Sequence, residues 1–407
     1  MTAPTVAAMR WASAQSDLPD AALAAEDVAR SLREQLGEGP VDLVLAFYSA
    51  PLAPRADTIA NALRARLAPV CMAGVSARGV VTREHEIEQG VALSVIAARL
   101  PGVTISPIVV LDEVWREPPA DDAAFDAIAP GMRGAELVLL AGDPYSLDIE
   151  RILGTCQRHS PGLRIVGGLA SAGVRPQSNT LFLNDWTTHE GGFAIALHGA
   201  LRADVIVSQG CAPIGPPLDV THVEHHVILT LDGLPALERI EQVLRELPEE
   251  DRERLRQGLY IGRPARGEAT GRGDYLIRNL LGADRERGAI AVADTVGLRE
   301  KIRLHVRDAR AAIEDLEMLL SPQAFDTRAF GALLFACNGR GRMLFGEPDR
   351  DIVTLQETLR ETLQAALGSP VPVAGMFCAG EIGPVGEKNF LHGHTASIAI
   401  IRPRTGP

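Results

Sequence analysis

The stretch GMFCAGEIGPVGEKNFLHGHTA, Gly375 to Ala396, sets a thiol (Cys378), a carboxylate (Glu381), an amide (Asn389) and two imidazoles (His392, His394) among glycines. Two chemistries fit these types. If the loop folds back, His392 or His394 meets Cys378 as the start of a nucleophilic pair for acyl or amide transfer. Such a pair also needs a lowered thiol pKa and an oxyanion pocket. Otherwise Cys378, Glu381, Asn389 and His392 line a small-molecule pocket, within a turn that the glycines make possible. Binding is the favoured reading, and no catalytic residue is assigned.

A second polar turn, ACNGRG (Ala336 to Gly341), ends an apolar run. Asn338 suits a ligand amide or carboxylate, and the planar fork of Arg340 suits a carboxylate or phosphate. The spacing is not that of a phosphate-binding P-loop. The competing assignment pairs Arg340 with an acid of its own domain, such as Glu381. If Arg340 anchors a ligand instead, Arg340→Ala weakens binding and leaves folding largely intact. Two related turns place Ser76 and Ser171 where backbone N–H groups can face an anion. Neither serine stands in a GxSxG elbow.

Two further clusters read as structure. THVEHH brings His222, His225 and His226 together, but in a strand His225 and His226 point to opposite faces, so no metal site is assigned. In EHEIEQG, Glu84, Glu86 and Glu88 share one strand face, where mutual repulsion favours a solvated edge or a partner contact over paired acid-base catalysis.

The elements that must position these residues repeat. DLVLAFYS from Asp42 and ELVLLAGD from Glu136 are strand-like, and each leads through a helical stretch into a glycine-containing strand, VCMAGVSARGVV and IVGGLASAGVR. Glu136 follows Asp42, and Gly168 follows Gly74, by the same 94 positions, as an internal repeat requires. A third copy runs through ALLFACNGRG, a helix around DIVTLQETLRETLQAAL, VPVAGMFCAGEIGP and HTASIAIIRP. The expected fold is therefore α+β: mixed, mostly antiparallel sheets covered by helices, built from strand-helix-strand-strand units. Two tightly packed domains are expected, residues 1–200 and 201–407, since 407 residues exceed one ordinary core. An opening helix, capped at Ser16 or Asp17 and stopped by Gly37, covers a sheet face.

Composition narrows the function. A net charge of −12 disfavours nucleic acid, which needs a concentrated basic surface. The longest apolar runs, AELVLLAG and GGFAIALHG, fall short of the roughly 20 residues that span a bilayer, so no membrane insertion is expected. The N-terminus lacks the pattern of a secretory signal. Five scattered cysteines without a CxxC pair fit reduced thiols in a cytoplasm.

Together, several segments resemble the FIST family, named for F-box and intracellular signal transduction proteins. RWASAQSD, DLVLAFYSA and AGVSARGVVTREHEIEQGVALSVIAARLPG resemble its N-terminal domain. CAPIGPPLDVTHVEHHVILTLDGLPALE, GDYLIRNLLGADRERGAIAVAD, HVRDARAAIEDL, ALLFACNGRGRMLFG and PVAGMFCAGEIGPVGEKNFLHGHTASIAI resemble the successive blocks of its C-terminal domain. Val75 stands where relatives often carry a cysteine. The resemblance implies a cytoplasmic sensory protein without cofactor, which recognises a small molecule such as an amino acid and signals through a separate partner protein. The alternatives are the Cys378 enzyme and a ligand-free interaction scaffold.

Overall fold

The computed structural model describes residues 9–267, 271–326, 329–360 and 370–404. The chain forms two compact units: Met1–Val207 with Glu317–Leu391 and Ala396–Pro407, and Ser208–Leu316 with His392–Thr395. Sheets and helices together make an α+β fold.

The larger unit repeats one plan three times. The first copy is β1 (Arg10–Ser16), α1 (Ala21–Leu36), β2 (Leu43–Ser49), α2 (Ala56–Leu67), β3 (Cys71–Ala77), β4 (Val80–Val81), β5 (Glu86–Ile87) and β6 (Leu93–Arg99). Ser16 ends β1, so the cap of α1 moves to Asp20, whose carboxylate accepts from the Ala22 and Leu23 amides at 2.9 Å each. Ala24, Ala25, Val28, Leu32 and Leu36 form its buried face, and Gly37 stops it at φ 74°.

The second copy is β7 (Val103–Val110), α3 (Asp112–Trp115), α4 (Asp122–Ile128), β8 (Leu137–Gly142), α5 (Ile149–His159), β9 (Ile165–Leu169), β10 (Leu181–Leu183), β11 (Trp186–Thr188) and β12 (Gly192–Gly199). β8 and β9 each begin 94 residues after their counterparts β2 and β3.

The third copy opens with β13 (Leu201–Gln209) and is interrupted by the smaller unit. That unit holds β14 (Cys211–Glu224), β15 (Val227–Leu231), β16 (Leu234–Pro235), α6 (Ala236–Glu246), α7 (Glu249–Arg254), β17 (Leu259–Pro264), β18 (Tyr275–Asp284), β19 (Ala289–Val292) and β20 (Lys301–Arg307). Its strands lie in the order β14-β20-β17-β18-β19-β15-β16, and its described pairings are antiparallel. His225 and His226 are the two residues that turn β14 into β15, His225 at φ 55°. They are not on a strand, and the opposite-face expectation for them does not apply.

The third copy resumes with α8 (Ala309–Leu320), β21 (Gly331–Cys337), α9 (Arg342–Phe345), α10 (Arg350–Arg360), β22 (Val373–Cys378), β23 (Glu381–Val385), β24 (Lys388–His392) and β25 (Thr395–Pro403). The later part of its expected helix, 361–369, lies outside the described residues. Residue 200 falls at the junction of the second and third copies, between β12 and β13. The compact units divide at 207/208, 316/317, 391/392 and 395/396, and β13 returns to the sheet of β25 and β21.

Each copy centres on one parallel pair, β2–β3, β8–β9 or β21–β22, joined through helix as a parallel crossover requires. The copies exchange hairpins. β10–β11 of the second copy extends the first sheet beside β3. β23–β24 of the third extends the second sheet beside β9, and β4–β5 of the first extends the third sheet beside β22. Each six-stranded sheet thus has one edge closed by a neighbouring copy.

One apolar core draws on all three: Phe47 and Val75, Leu139 and Val166, Phe335 and Met376. The rings of Phe47 and Phe335 meet edge to face at 5.9 Å. Two strand glycines serve backbone approach. A Cβ on Gly375 would lie 1.8 Å from the Leu334 carbonyl oxygen, and one on Gly167 1.9 Å from that of Leu140.

Candidate functional site

The turns after the three parallel pairs are stitched to one another. The Ser171 amide donates to the Ser76 carbonyl (3.2 Å), Phe377 to Gly79 (3.0 Å), Leu169 to Gly380 (2.9 Å) and Ala379 to Leu169 (3.1 Å). Ser171 Oγ donates to the Phe377 carbonyl at 2.5 Å and accepts from the Arg78 amide at 2.9 Å. Ser76 Oγ accepts from the Thr180 amide at 2.8 Å. Both serines, expected beside an anion, hold backbone together instead. The second turn is equally well matched: buried Asp143 accepts from Ser146 Oγ (2.8 Å), Asn179 Nδ2 (2.9 Å) and the Tyr145 amide (3.1 Å).

The third turn differs. Arg340, 1% exposed, directs Nε and Nη2 at the two carboxylate oxygens of Asp351, at 2.6 and 2.7 Å. Its guanidinium lies 5.3 Å from the centre of the Phe345 ring. Its acid is thus Asp351, in the first turn of α10, and not Glu381; the fork proposed for a ligand is already occupied. Only Nη1, buried, lacks a partner.

The Glu86 side chain, 5% exposed, sits against the same pair. Its Oε1 accepts from the Ile352 amide at 2.9 Å, near the start of α10, while Oε2 is buried without a partner. The amide of Glu86 donates to Asp349 at 2.6 Å. Burial first, and then the charge of Asp351, push the Glu86 carboxyl up to about 8, against the Ile352 N–H and Arg340. Near neutral pH it holds its proton. The solvated edge expected for EHEIEQG therefore applies to exposed Glu84 alone: Glu86 is core, and the Glu88 carboxylate accepts from the Arg342 amide at 2.9 Å. Half-buried Asn338 stands at the end of β21, two residues before Arg340; its backbone amide donates to the Cys378 carbonyl at 3.0 Å, and its Oδ1 is buried and unpartnered.

The other expected residues divide. Cys378 stands opposite Cys337 in the β21–β22 register and senses the charge of Glu381, so both lie at this sheet end with Arg340. Burial, then Glu381 and Cys337, push the Cys378 thiol well above its ordinary range. Its sulfur lies 3.6 Å from the Met376 carbonyl oxygen. A nucleophile needs the opposite shift. Glu381 is buried where β23 meets Gly168. Asn389 accepts from the Ile165 amide (3.0 Å) and donates to the Leu163 carbonyl (2.6 Å), so its side-chain amide pins the start of β9. His392 is buried at the end of β24. His394 accepts from Arg307 Nη2 at 3.2 Å, sets its ring 4.3 Å from that of Tyr260 at a tilt of 58°, and is pushed down to about 4 by burial and then by Arg307.

Sequence reasoning missed Glu86 and Asp351. Asp351 had a signal, an acid opening an amphipathic helix eleven residues after Arg340; Glu86 had none that separated it from its surface neighbours. A cavity of about 730 Å³ lies elsewhere, an open groove along α1 lined by Leu18, Leu23, Arg30, Arg33 and Arg66. A void of about 20 Å³ between Phe47, Leu139 and Phe335 is apolar, so it offers a water no partners. No helix among the described residues is long and apolar enough to cross a membrane.

Comparison with known proteins finds the FIST N domain over residues 42–234 and the FIST C domain over 236–384. An uncharacterized protein of Mycobacterium tuberculosis is 35% identical over 401 residues, 96% of this chain and 99% of that protein. One of Mycobacterium bovis is 35% identical over 392 residues, 94% and 96% of the two chains. Among solved structures, a cyanuric acid hydrolase covers 96% of this chain and 99% of its own at 10% identity and a TM-score of 0.33. The cyanuric acid hydrolase of A. caulinodans covers 47% and 70% at 13% identity and a TM-score of 0.27. Likenesses this distant carry no weight for the chemistry here.

Proposed function

The chain belongs to the FIST family, whose domains are generally signalling sensory domains, and we propose that it is a cytoplasmic small-molecule-binding sensor. Its ligand is amino-acid-like or another small carboxylate, and its output passes through a separate signalling protein. The observation that carries this reading is the third turn, at the C-terminal end of a parallel strand pair: Arg340 Nη1 and Glu86 Oε2, buried and unpartnered on side chains that feel each other's charge, and the unpartnered Asn338 Oδ1 two residues before Arg340 in the chain. Unmatched buried donors and acceptors are uncommon in folded proteins, and a bound molecule is a physical reason to keep them. Cys378 supports no enzyme reading, since its environment protonates it.

The test is a thermal-shift screen against amino acids, small carboxylates and common metabolites. A saturable rise in melting temperature that Asn338→Ala abolishes supports the sensor. A flat response across the library, or a response that Asn338→Ala leaves unchanged, sinks this site. Asn338 replaces Arg340 as the probe, because removing Arg340 would strand the buried Asp351.

A further inference from the structure

We propose that Cys337 and Cys378 form an oxidisable dithiol: a peroxide oxidises the half-buried Cys337, and the fully buried Cys378 then closes the pair into a disulfide. This modification site requires no ligand, and it stands or falls independently of the sensor reading.

Placement carries the pairing. Cys337 and Cys378 end the parallel strands β21 and β22 and are partners in their register. Neighbouring strands run about 4.8 Å apart, inside the roughly 4.4–6.8 Å between Cα atoms that a disulfide spans. Side chains alternate along a strand, so Cys337 shares the face of Leu333 and Phe335, and Cys378 that of Ala374 and Met376, which all line one core. Beyond the pair, the Asn338 amide donates to the Cys378 carbonyl at 3.0 Å, so the two backbones stay joined at their ends. Cys378 senses the charge of Cys337, as Arg340 does. The other thiols have different neighbours: Cys71 is in register with Leu43, Cys211 with Arg307, and Cys156 meets the Met132 sulfur at 3.5 Å.

Exposure sets the order of events. Cys337 is half-buried, while Cys378 is 0% exposed and held protonated chiefly by burial, so the oxidant meets Cys337. The Cys337 sulfur attacks one oxygen of the peroxide: an S–O bond forms, the O–O bond breaks, and the thiol proton leaves with the other oxygen as water, giving a sulfenic acid. The Cys378 sulfur then attacks that of Cys337: the S–S bond forms, the S–O bond breaks, and the Cys378 proton leaves with the hydroxide as a second water. The two thiols give up two electrons, and the peroxide is reduced. Cys378 is a poor nucleophile toward a molecule in solution, but in this step its target is fixed beside it on the next strand, and proximity supplies what acidity does not. Disulfides of this kind in a reducing compartment are transient and redox-sensing.

The experiment treats the folded whole protein with hydrogen peroxide, alkylates the remaining thiols after denaturation, and reads the tryptic peptides by mass spectrometry. Trypsin separates Cys337, within residues 329–340, from Cys378, within residues 361–388. The expected result is the loss of two of the five thiols, with those two peptides joined at a mass two hydrogens below their sum. The oxidised chain should still run as a single chain on a non-reducing denaturing gel, and dithiothreitol should restore both thiols. Cys378→Ala should stop at a Cys337 sulfenic acid that dimedone traps, and Cys337→Ser should leave Cys378 reduced. A wild-type protein in which Cys337 accumulates as sulfenic or sulfinic acid while Cys378 stays alkylatable would overturn the pairing. So would a disulfide through Cys71, Cys156 or Cys211, or five intact thiols at a peroxide concentration that oxidises free cysteine. The wild-type peptide map decides between these outcomes even where a variant fails to fold.

Discussion

The second and third copies reach the same backbone geometry and differ in what their turns leave unmatched. In the second, Asp143 and Asn179 satisfy one another and the neighbouring amides. At the third, Arg340 and Asn338, and Glu86 from the first copy's exchanged hairpin, each retain one buried polar atom without a partner. A buried donor or acceptor left unsatisfied costs about 1–3 kcal/mol. The second turn shows that the backbone plan of such a turn can satisfy its buried polar side chains internally.

The largest effect should come from breaking the Arg340–Asp351 pair. Arg340→Ala leaves a buried carboxylate uncompensated and should lower stability by about 3–5 kcal/mol, read by urea denaturation. This reverses the expectation, drawn from sequence, that the substitution spares folding. Full wild-type stability in Arg340→Ala would show that the third turn holds its arginine for a ligand alone, which would sharpen the contrast with the second copy.

Next in size is a pH effect. The Glu86 carboxyl is raised from 4.5 to about 8 in the folded protein, so between those values the folded state binds more protons than the unfolded one. Its contribution to stability is therefore fully present below pH 4.5 and is lost as pH rises toward 8, by on the order of a few kcal/mol. Glu86→Gln should abolish that loss. His305 and His394 act in the opposite sense, both pushed down from 6.5 to about 4 chiefly by burial: their contribution is lost as pH falls from 6.5 to 4. The difference between wild type and Glu86→Gln, followed by urea midpoint from pH 5 to 9, isolates the carboxyl. A difference that does not change with pH would remove Glu86 from the buried group.

The fold was more legible than the site. The 94-residue offset between DLVLAFYS and ELVLLAGD marks β2 and β8, because strand patterns and turn glycines are local. The exchanged hairpins were not legible, since β4 meets β22 across almost three hundred residues and no local pattern records it. The site follows the same rule. Asn338 and Arg340 stood out as polar residues at a strand end, whereas Glu86 reaches Arg340 and α10 only through that exchanged hairpin. Its alternation with Glu84 and Glu88 is the pattern of an exposed edge, and only the third copy packing over β5 turns one of the three inward. Ser76, Ser171 and Asn389 misled for the converse reason: a polar side chain that ties backbone to backbone has the same sequence signature as one that waits for a ligand.

The smallest stability effect is the most telling. Ser171 and Asn338 are both polar residues at these turns, but Ser171 Oγ joins two backbone groups and Asn338 Oδ1 joins none. Ser171→Ala should cost about 1–3 kcal/mol, because the Arg78 amide and the Phe377 carbonyl lose their partner. Asn338→Ala should change stability by no more than about 0.5 kcal/mol, since it removes an atom that nothing satisfies, and yet it should erase the ligand-induced rise in melting temperature. A side chain that stability does not need and binding does is what a recognition residue looks like in a denaturation experiment. If Asn338→Ala instead destabilises as much as Ser171→Ala, the third turn is built like the second, and the place to look for the ligand moves off the β21–β22 strand ends.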